Sequence, residues 1–351
     1  PNYVPSFYNA TRRRTIEVSI GNAKIGGDNP ILVQSMTNTN TRDIDATVKQ
    51  TLAMAAAGCQ LVRITAPTAK DGEALGEIVK KLRAVGCDVP ISADIHFQPR
   101  AAMEAVKWVE KVRINPGNYV DKGIMHIKEW TDSEWEKAEA KVFEKFSPLV
   151  LKAKERGVAI RIGTNHGSLS GRMVYRFGDS VEGMVESAIE YLRVCEHHDF
   201  HNIVFSMKAS NPKVVIEAYR MLAARLDNEH RAYPFHVGVT EAGEGEDGRL
   251  KSAVGIGSLL LDGISDTIRV SLTEDPVLEI PVAEELISLC DVSTLKQIPE
   301  VKYCVDPYHY QKREVSESNV NGLEIGPDKL VHVGTAFSSI VTAMPEERQL
   351  E

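Results

Sequence analysis

Eight times in about 260 residues the chain repeats a short apolar run, a loop and a helical pattern, and this rhythm constrains its fold more than any other feature. The runs lie at 31–37, 61–65, 90–96, 112–115, 159–164, 203–208, 235–240 and 267–272. Helical patterns fall near 43–57, 70–85, 99–110, 132–156, 180–197, 211–227, 250–262 and 282–289. Several end in glycine where a helix C-terminus is expected: Gly58, Gly86, Gly157 and Gly263. Eight strands alternating with eight helices is the arithmetic of an α/β chain folded as a (β/α)8 TIM barrel. The alternative is a doubly wound open sheet, which more often carries a glycine-rich turn after its first strand. Here that strand runs into Ser35-Met36-Thr37-Asn38-Thr39-Asn40, with no glycine.

Both ends depart from the rhythm. Residues 1–29 hold Arg12-Arg13-Arg14, an alternating run at 15–20 and a Gly26-Gly27-Asp28-Asn29 turn, which predicts a small hairpin leading into the barrel. The arginine triplet is expected to be solvated, with a partner or phosphate patch as the alternative. The barrel is expected over 30–290. Residues 291–351 read as a linker and the incomplete start of a further domain, with short strands at 301–305 and 329–333 and a helix of small residues at 335–343. The charged stretch 119–146, with Trp130 and Trp135, reads either as a lid or as an extended solvated helix. The first residue is Pro1, as expected of a processed or trimmed chain.

A formal net charge of -8 argues against a general nucleic-acid binder. No apolar run reaches about 18 residues and no signal pattern opens the chain, so no membrane span is expected and a cytoplasmic location is. The five cysteines, Cys59, Cys87, Cys195, Cys290 and Cys304, show no ligand-pair spacing. Their odd count fits a reducing compartment, and no metal ligands are expected within this chain.

Against that acidic background, four arginines stand in matching settings: Val62-Arg63-Ile64, Val112-Arg113-Ile114, Ile160-Arg161-Ile162 and Ile268-Arg269-Val270. Strand alternation sends the aliphatic neighbours to one face and the arginine to the other. A cation facing a packed interior is costly unless an anion meets it. Four of them predict one shared, phosphate-rich ligand in preference to four separate structural ion pairs. Further polar residues concentrate at the same strand ends: Asp94 and His96, Asn115, Asn165, Lys208, Thr240 and Glu241, and Ser271. Arginine forks bind phosphate oxygens bidentately and lysine adds a point charge. Asp94 is expected to orient arginines, with acid/base work or a metal site shared with His96 as lesser readings. For Glu241, strand parity leaves the direction ambiguous.

Several of these stretches, Val33-Gln34-Ser35-Met36-Thr37-Asn38-Thr39, Ala93-Asp94-Ile95-His96-Phe97, Arg113-Ile114-Asn115-Pro116-Gly117-Asn118, Arg161-Ile162-Gly163 and Val239-Thr240-Glu241-Ala242-Gly243, resemble the 4-hydroxy-3-methylbut-2-enyl diphosphate synthase family over roughly residues 12–290. The resemblance implies a barrel that binds 2-C-methyl-D-erythritol 2,4-cyclodiphosphate, in the non-mevalonate route to isoprenoids. It also implies a separate C-terminal domain with a [4Fe-4S] cluster on three cysteines and a glutamate, fed by ferredoxin or flavodoxin. On that pattern Arg63, Arg113, Arg161, Lys208 and Arg269 grip the diphosphate, Asn115, Asn165 and Ser271 assist, and Glu241 is the candidate proton donor. The family's Cys-x-x-Cys pair is absent from this chain, so the cluster ligands are expected outside it. The last 61 residues resemble the start of the middle domain of the long, three-domain form. A homodimer stays open. The alternative reading is another barrel enzyme, a lyase or transferase acting on a phosphorylated or pterin-like substrate.

Overall fold

The structure, a computed structural model, describes residues 3–6, 8–121, 129–295, 314–326 and 329, with backbone alone at 332–334 and 340–342. The chain divides into two compact units, residues 1–302 and 303–351.

The first unit opens with an antiparallel hairpin, β1 (Val18–Ile20) and β2 (Ala23–Ile25). The strand–helix alternation follows: β3 (Leu32–Met36), α1 (Ile44–Ala56), β4 (Leu61–Thr65), α2 (Ala69–Ala84), β5 (Ile91–Asp94), α3 (Pro99–Ala105) and β6 (Lys111–Ile114). After a short helix α4 (Pro116–Tyr119) come α5 (Asp132–Arg156), β7 (Ala159–Asn165), α6 (Gly171–Phe177), α7 (Val181–His197), β8 (Ile203–Lys208) and α8 (Pro212–Asn228). The last quarter comprises β9 (His236–Val237), α9 (Gly245–Ser252), α10 (Ser258–Leu261), β10 (Thr267–Ile268) and α11 (Glu279–Leu289). Strands β3 to β10 form one parallel sheet in the order β8-β7-β6-β5-β4-β3-β10-β9. A parallel bridge between Phe205 and Phe235 joins β8 to β9 and closes it. The expected barrel is therefore present, and the helix-ending glycines Gly58, Gly86, Gly157 and Gly263 all take positive φ.

The hairpin closes the end of the barrel where the strands begin. Val18, Ile20 and Ile25 pack with Leu32, Leu61, Ala159 and Val204, the first or second residues of their strands. All three hairpin side chains are fully buried, so this apolar plug replaces solvent at the barrel floor.

Three expectations for the first unit need correction. The arginine triplet is neither a solvated segment nor a patch throughout. Arg13 is buried, ion-pairs with Asp227 at 2.6 Å, donates to the Tyr233 carbonyl at 2.8 Å and lies over the Phe235 ring. Arg12 pairs with buried Asp266 at 3.1 Å. Burial and hydrogen-bonding partners inside the acidic chain make these two arginines structural. Within the stretch 119–146, residues 122–128 lie outside the described residues, but α5 is neither lid nor solvated rod. A Thr131–Glu134 capping box starts it, and Trp135, Ala138, Val142, Phe146, Leu149, Val150 and Ala153 bury one face at helical spacing. The helix beginning near 250 in the sequence pattern starts at Gly245 instead, and a wide helical turn at Ala253–Gly257 joins α9 to α10.

In the second unit, β11 (Ser318–Val320) and β12 (Leu323–Ile325) form one hairpin, and β13 (His332–Gly334) and β14 (Ile340–Thr342) another. The expected helix at 335–343 is thus overturned at 340–342, where the backbone pairs as a strand. The expected strand at 301–305 lies outside the described residues.

Candidate active site

The C-terminal ends of the barrel strands surround a cavity of about 230 Å³. Arg63, Asp94, His96, Arg113, Arg161, Asn165, Lys208, Thr240, Arg269 and Ser271 line it, with Met36 and Val239. Strand register explains the convergence. In neighbouring strands Arg63 aligns with Ser92, Asp94 with Arg113 and Arg113 with Arg161, so alternate residues of each strand project to the same interior at similar depth.

Two carboxylates organise the cations. Asp94 accepts from Arg113 Nη1 at 3.0 Å, lies 3.4 Å from Arg63 Nε and 3.5 Å from His96 Nε2. Burial alone would raise its pKa, but the Arg113 and Arg63 guanidiniums outweigh that and hold it well below the usual carboxylate range. Asp94 is thus engaged by two guanidiniums at once. The second carboxylate, Glu279 on α11, was not among the residues read from the sequence. It accepts from Arg269 Nε at 3.3 Å and Nη2 at 3.2 Å.

The remaining contacts leave the cations short of negative charge. Arg113 also donates to the Gly163 carbonyl and to Asn165 Oδ1, both at 3.0 Å. Arg161, 1% exposed, donates to Ser206 Oγ at 3.1 Å. Arg63 and Arg269 both approach the Met36 thioether, a weak acceptor, with Arg63 Nη2 at 2.9 Å and Arg269 Nη1 at 3.6 Å. Burial pushes Arg63 down to about 10, with Asp94 opposing. Burial, then the neighbouring guanidiniums, depresses Arg161 and Lys208 well below their ordinary values. Among the described residues four guanidiniums face two carboxylates, so at least two positive charges stay unbalanced there even with Lys208 neutral. Such an excess of positive charge suits a polyanion.

Two glycines make the crowding workable. A Cβ on Gly163 would meet Arg113 Nε at 2.7 Å and Ser206 Oγ at 3.0 Å, and one on Gly238 would collide with Lys208 Nζ and meet the Arg269 carbonyl at 2.6 Å. Gly163 stands on β7 at the same parity as Arg161, and Gly238 directly follows β9; the parity of Gly163 in the sequence is the signal by which it was findable.

Two residues expected in the site lie off the cavity wall. Asn115 is buried, but its side chain accepts from Gly117 N at 3.2 Å and caps α4. Glu241 is exposed, with φ +52°, one residue beyond Thr240. The histidines His166, His197 and His201 are exposed and His198 is half-buried, all outside the cavity.

Residues 15–284 match the GcpE TIM-barrel domain. The chain belongs to the GcpE family. Over 99% of its length it is 52% identical to a 4-hydroxy-3-methylbut-2-en-1-yl diphosphate synthase (flavodoxin) of Akkermansia muciniphila, covering 60% of that protein. It is 50% identical over 92% of its length to the protein of the same name from Leptospira interrogans, and 52% identical over 99% to that of Protochlamydia amoebophila. It covers 49% and 52% of those two, so the chain spans roughly half to three fifths of these relatives.

The cysteines of this GcpE barrel do not fit an iron–sulfur cluster. Cys59 and Cys195 are buried and Cys87 and Cys290 half-buried, on separate elements, and Cys304 lies outside the described residues. Burial pushes the Cys59 thiol up to about 11 and raises Cys195 and Cys290 as well. Among the described residues no three His, Cys, Asp or Glu side chains gather as a metal site. No helix described is long and apolar enough to cross a membrane.

Proposed function

We propose that this barrel is the substrate-binding part of a 4-hydroxy-3-methylbut-2-enyl diphosphate synthase and that its cavity takes 2-C-methyl-D-erythritol 2,4-cyclodiphosphate. The observation that carries the reading is the convergence of Arg63, Arg113, Arg161, Lys208 and Arg269 on one cavity, with only Asp94 and Glu279 among the described residues to offset them. Family membership favours this over a lyase or transferase acting on another phosphorylated or pterin-like substrate.

In this reading the guanidinium forks and Lys208 hold the phosphate oxygens, and Asn165, Ser271, Thr240 and His96 supply hydrogen bonds around them. Asn115 acts from behind, by fixing the turn after β6. The reaction opens the ring and expels the C3 hydroxyl as water, which requires two electrons and a proton at the leaving oxygen. Glu241 is the candidate donor of that proton, from the rim beyond Thr240. The electrons are proposed to come from ferredoxin or flavodoxin through a [4Fe-4S] cluster held by residues outside this chain, and the three segments 1–29, 30–290 and 291–351 to be its N-terminal hairpin, barrel and the start of a further domain. A cytoplasmic setting belongs to the same proposal.

Calorimetric titration of the 351-residue chain with the cyclic diphosphate tests the reading. Saturable binding of one ligand per barrel is expected, weakening steeply with added salt. Heat indistinguishable from dilution would end it.

A further inference from the structure

Glu279 belongs to no strand of the barrel, yet it is 1% exposed and reaches its wall from the first turn of α11. Its carboxylate gathers four donors. Ser35 Oγ of β3 donates to Oε2 at 2.7 Å, and the backbone N–H of Leu272 donates to Oε1 at 3.0 Å. Arg269 supplies the other two, through Nε and Nη2. Glu279 thus holds one edge of the guanidinium and leaves Nη1 beside Met36 Sδ, at the cavity wall. The Leu272 contact lies one residue past Ser271, so the same carboxylate fixes the backbone just after β10 that carries both Arg269 and Ser271.

Resting on the anion-binding reading of the cavity, we infer that Glu279 is a positioning residue. It presents Arg269 and Ser271 to an entering phosphate and ties their strand end to Ser35 of the neighbouring strand. Removing its charge has two opposed effects. It frees Arg269 of a counter-charge, which favours any anion, and it releases the guanidinium to other rotamers, which disfavours an anion that needs a fixed fork. Arg269 is largely buried, with side-chain exposure of 14%, and loss of orientation is the larger effect for a bidentate contact there.

The test is a double-mutant cycle on the 351-residue chain, with inorganic pyrophosphate as the probe and calorimetric Kd as the readout. Glu279→Gln is expected to raise Kd about tenfold in the native background but less than about twofold in the Arg269→Ala background, because its effect passes through Arg269. Equal losses in both backgrounds, or no loss in the native one, would overturn the inference while leaving the cavity an anion site. Absence of pyrophosphate binding to the unmodified chain would remove both. If Glu279→Gln does not fold, Ser35→Ala loosens the same carboxylate without uncovering a charge. It is expected to raise Kd about threefold, an effect absent when Arg269 is already alanine. Persistence of that loss in the alanine background would equally refute the positioning role.

Discussion

Arg161 lies deep in the cavity wall with Ser206 Oγ as the partner of its Nη1, and its Nε has no hydrogen-bond partner in the described structure. A guanidinium so placed gains most from an anion, so Arg161→Ala or Arg113→Ala is expected to weaken cyclic-diphosphate binding by about 2–5 kcal/mol, read by calorimetry. Arg12→Ala should separate stability from binding. It strips a partner from buried Asp266, which also accepts from Thr15 Oγ1 and Phe235 N, and should cost about 1–3 kcal/mol of folding free energy with Kd unchanged. On the proposed function, turnover of the longer enzyme carrying Glu241→Gln assigns the rim carboxylate: kcat falling with KM steady marks a proton donor, a joint loss of affinity marks an orienter of an arginine, and unchanged kcat removes it from the mechanism. The arginines were legible because strand parity alone gives their direction. Met36 was not, because a thioether in an apolar strand looks like core until two guanidiniums are found against it. Glu279 was hidden for another reason: its link to Arg269 depends on how α11 returns to the sheet, which periodicity does not encode.

At the scale of elements, the strand positions followed from alternation and glycine caps, whereas α4, α6 and the early start of α9 did not. The four residues of α4 carry too little periodicity to stand out from a loop. The hairpin β11–β12 turns at Asn321-Gly322, both at positive φ, a strong local signal that the mixed composition of 291–351 obscured. The crowded strands offer a sharper test. Gly163→Ala places a methyl against Arg113 Nε, so pyrophosphate affinity should fall roughly tenfold, with the melting temperature moving little if the flexible arginine is what yields. A large loss of melting temperature with unaltered affinity would mean the strand, not the side chain, had shifted.

Across the whole molecule, an acidic chain has concentrated buried positive charge along one barrel axis. Below the cavity this continues: Lys111, two residues before Arg113 on β6, is fully buried and its Nζ has no hydrogen-bond partner in the described structure. Burial, then Arg161 and Arg63, holds its pKa well below the usual lysine range. The unfolded chain therefore binds more protons at this site, and the stability it costs is recovered as pH rises from the depressed value toward the ordinary one. Relative to Lys111→Met, the native chain should gain stability as pH rises toward the ordinary lysine value, by at most about 1.4 kcal/mol per pH unit, measured by denaturant unfolding. A difference between the two that does not change with pH would mean Lys111 stays charged. At the opposite extreme of polarity stands the plug of Val18, Ile20 and Ile25. A vessel corked at its base, among the described residues, leaves its upper mouth as the doorway, so whatever enters must back out the way it came. An inert dianion lodged inside should therefore obstruct arrival and departure alike, and behave as a strictly competitive inhibitor.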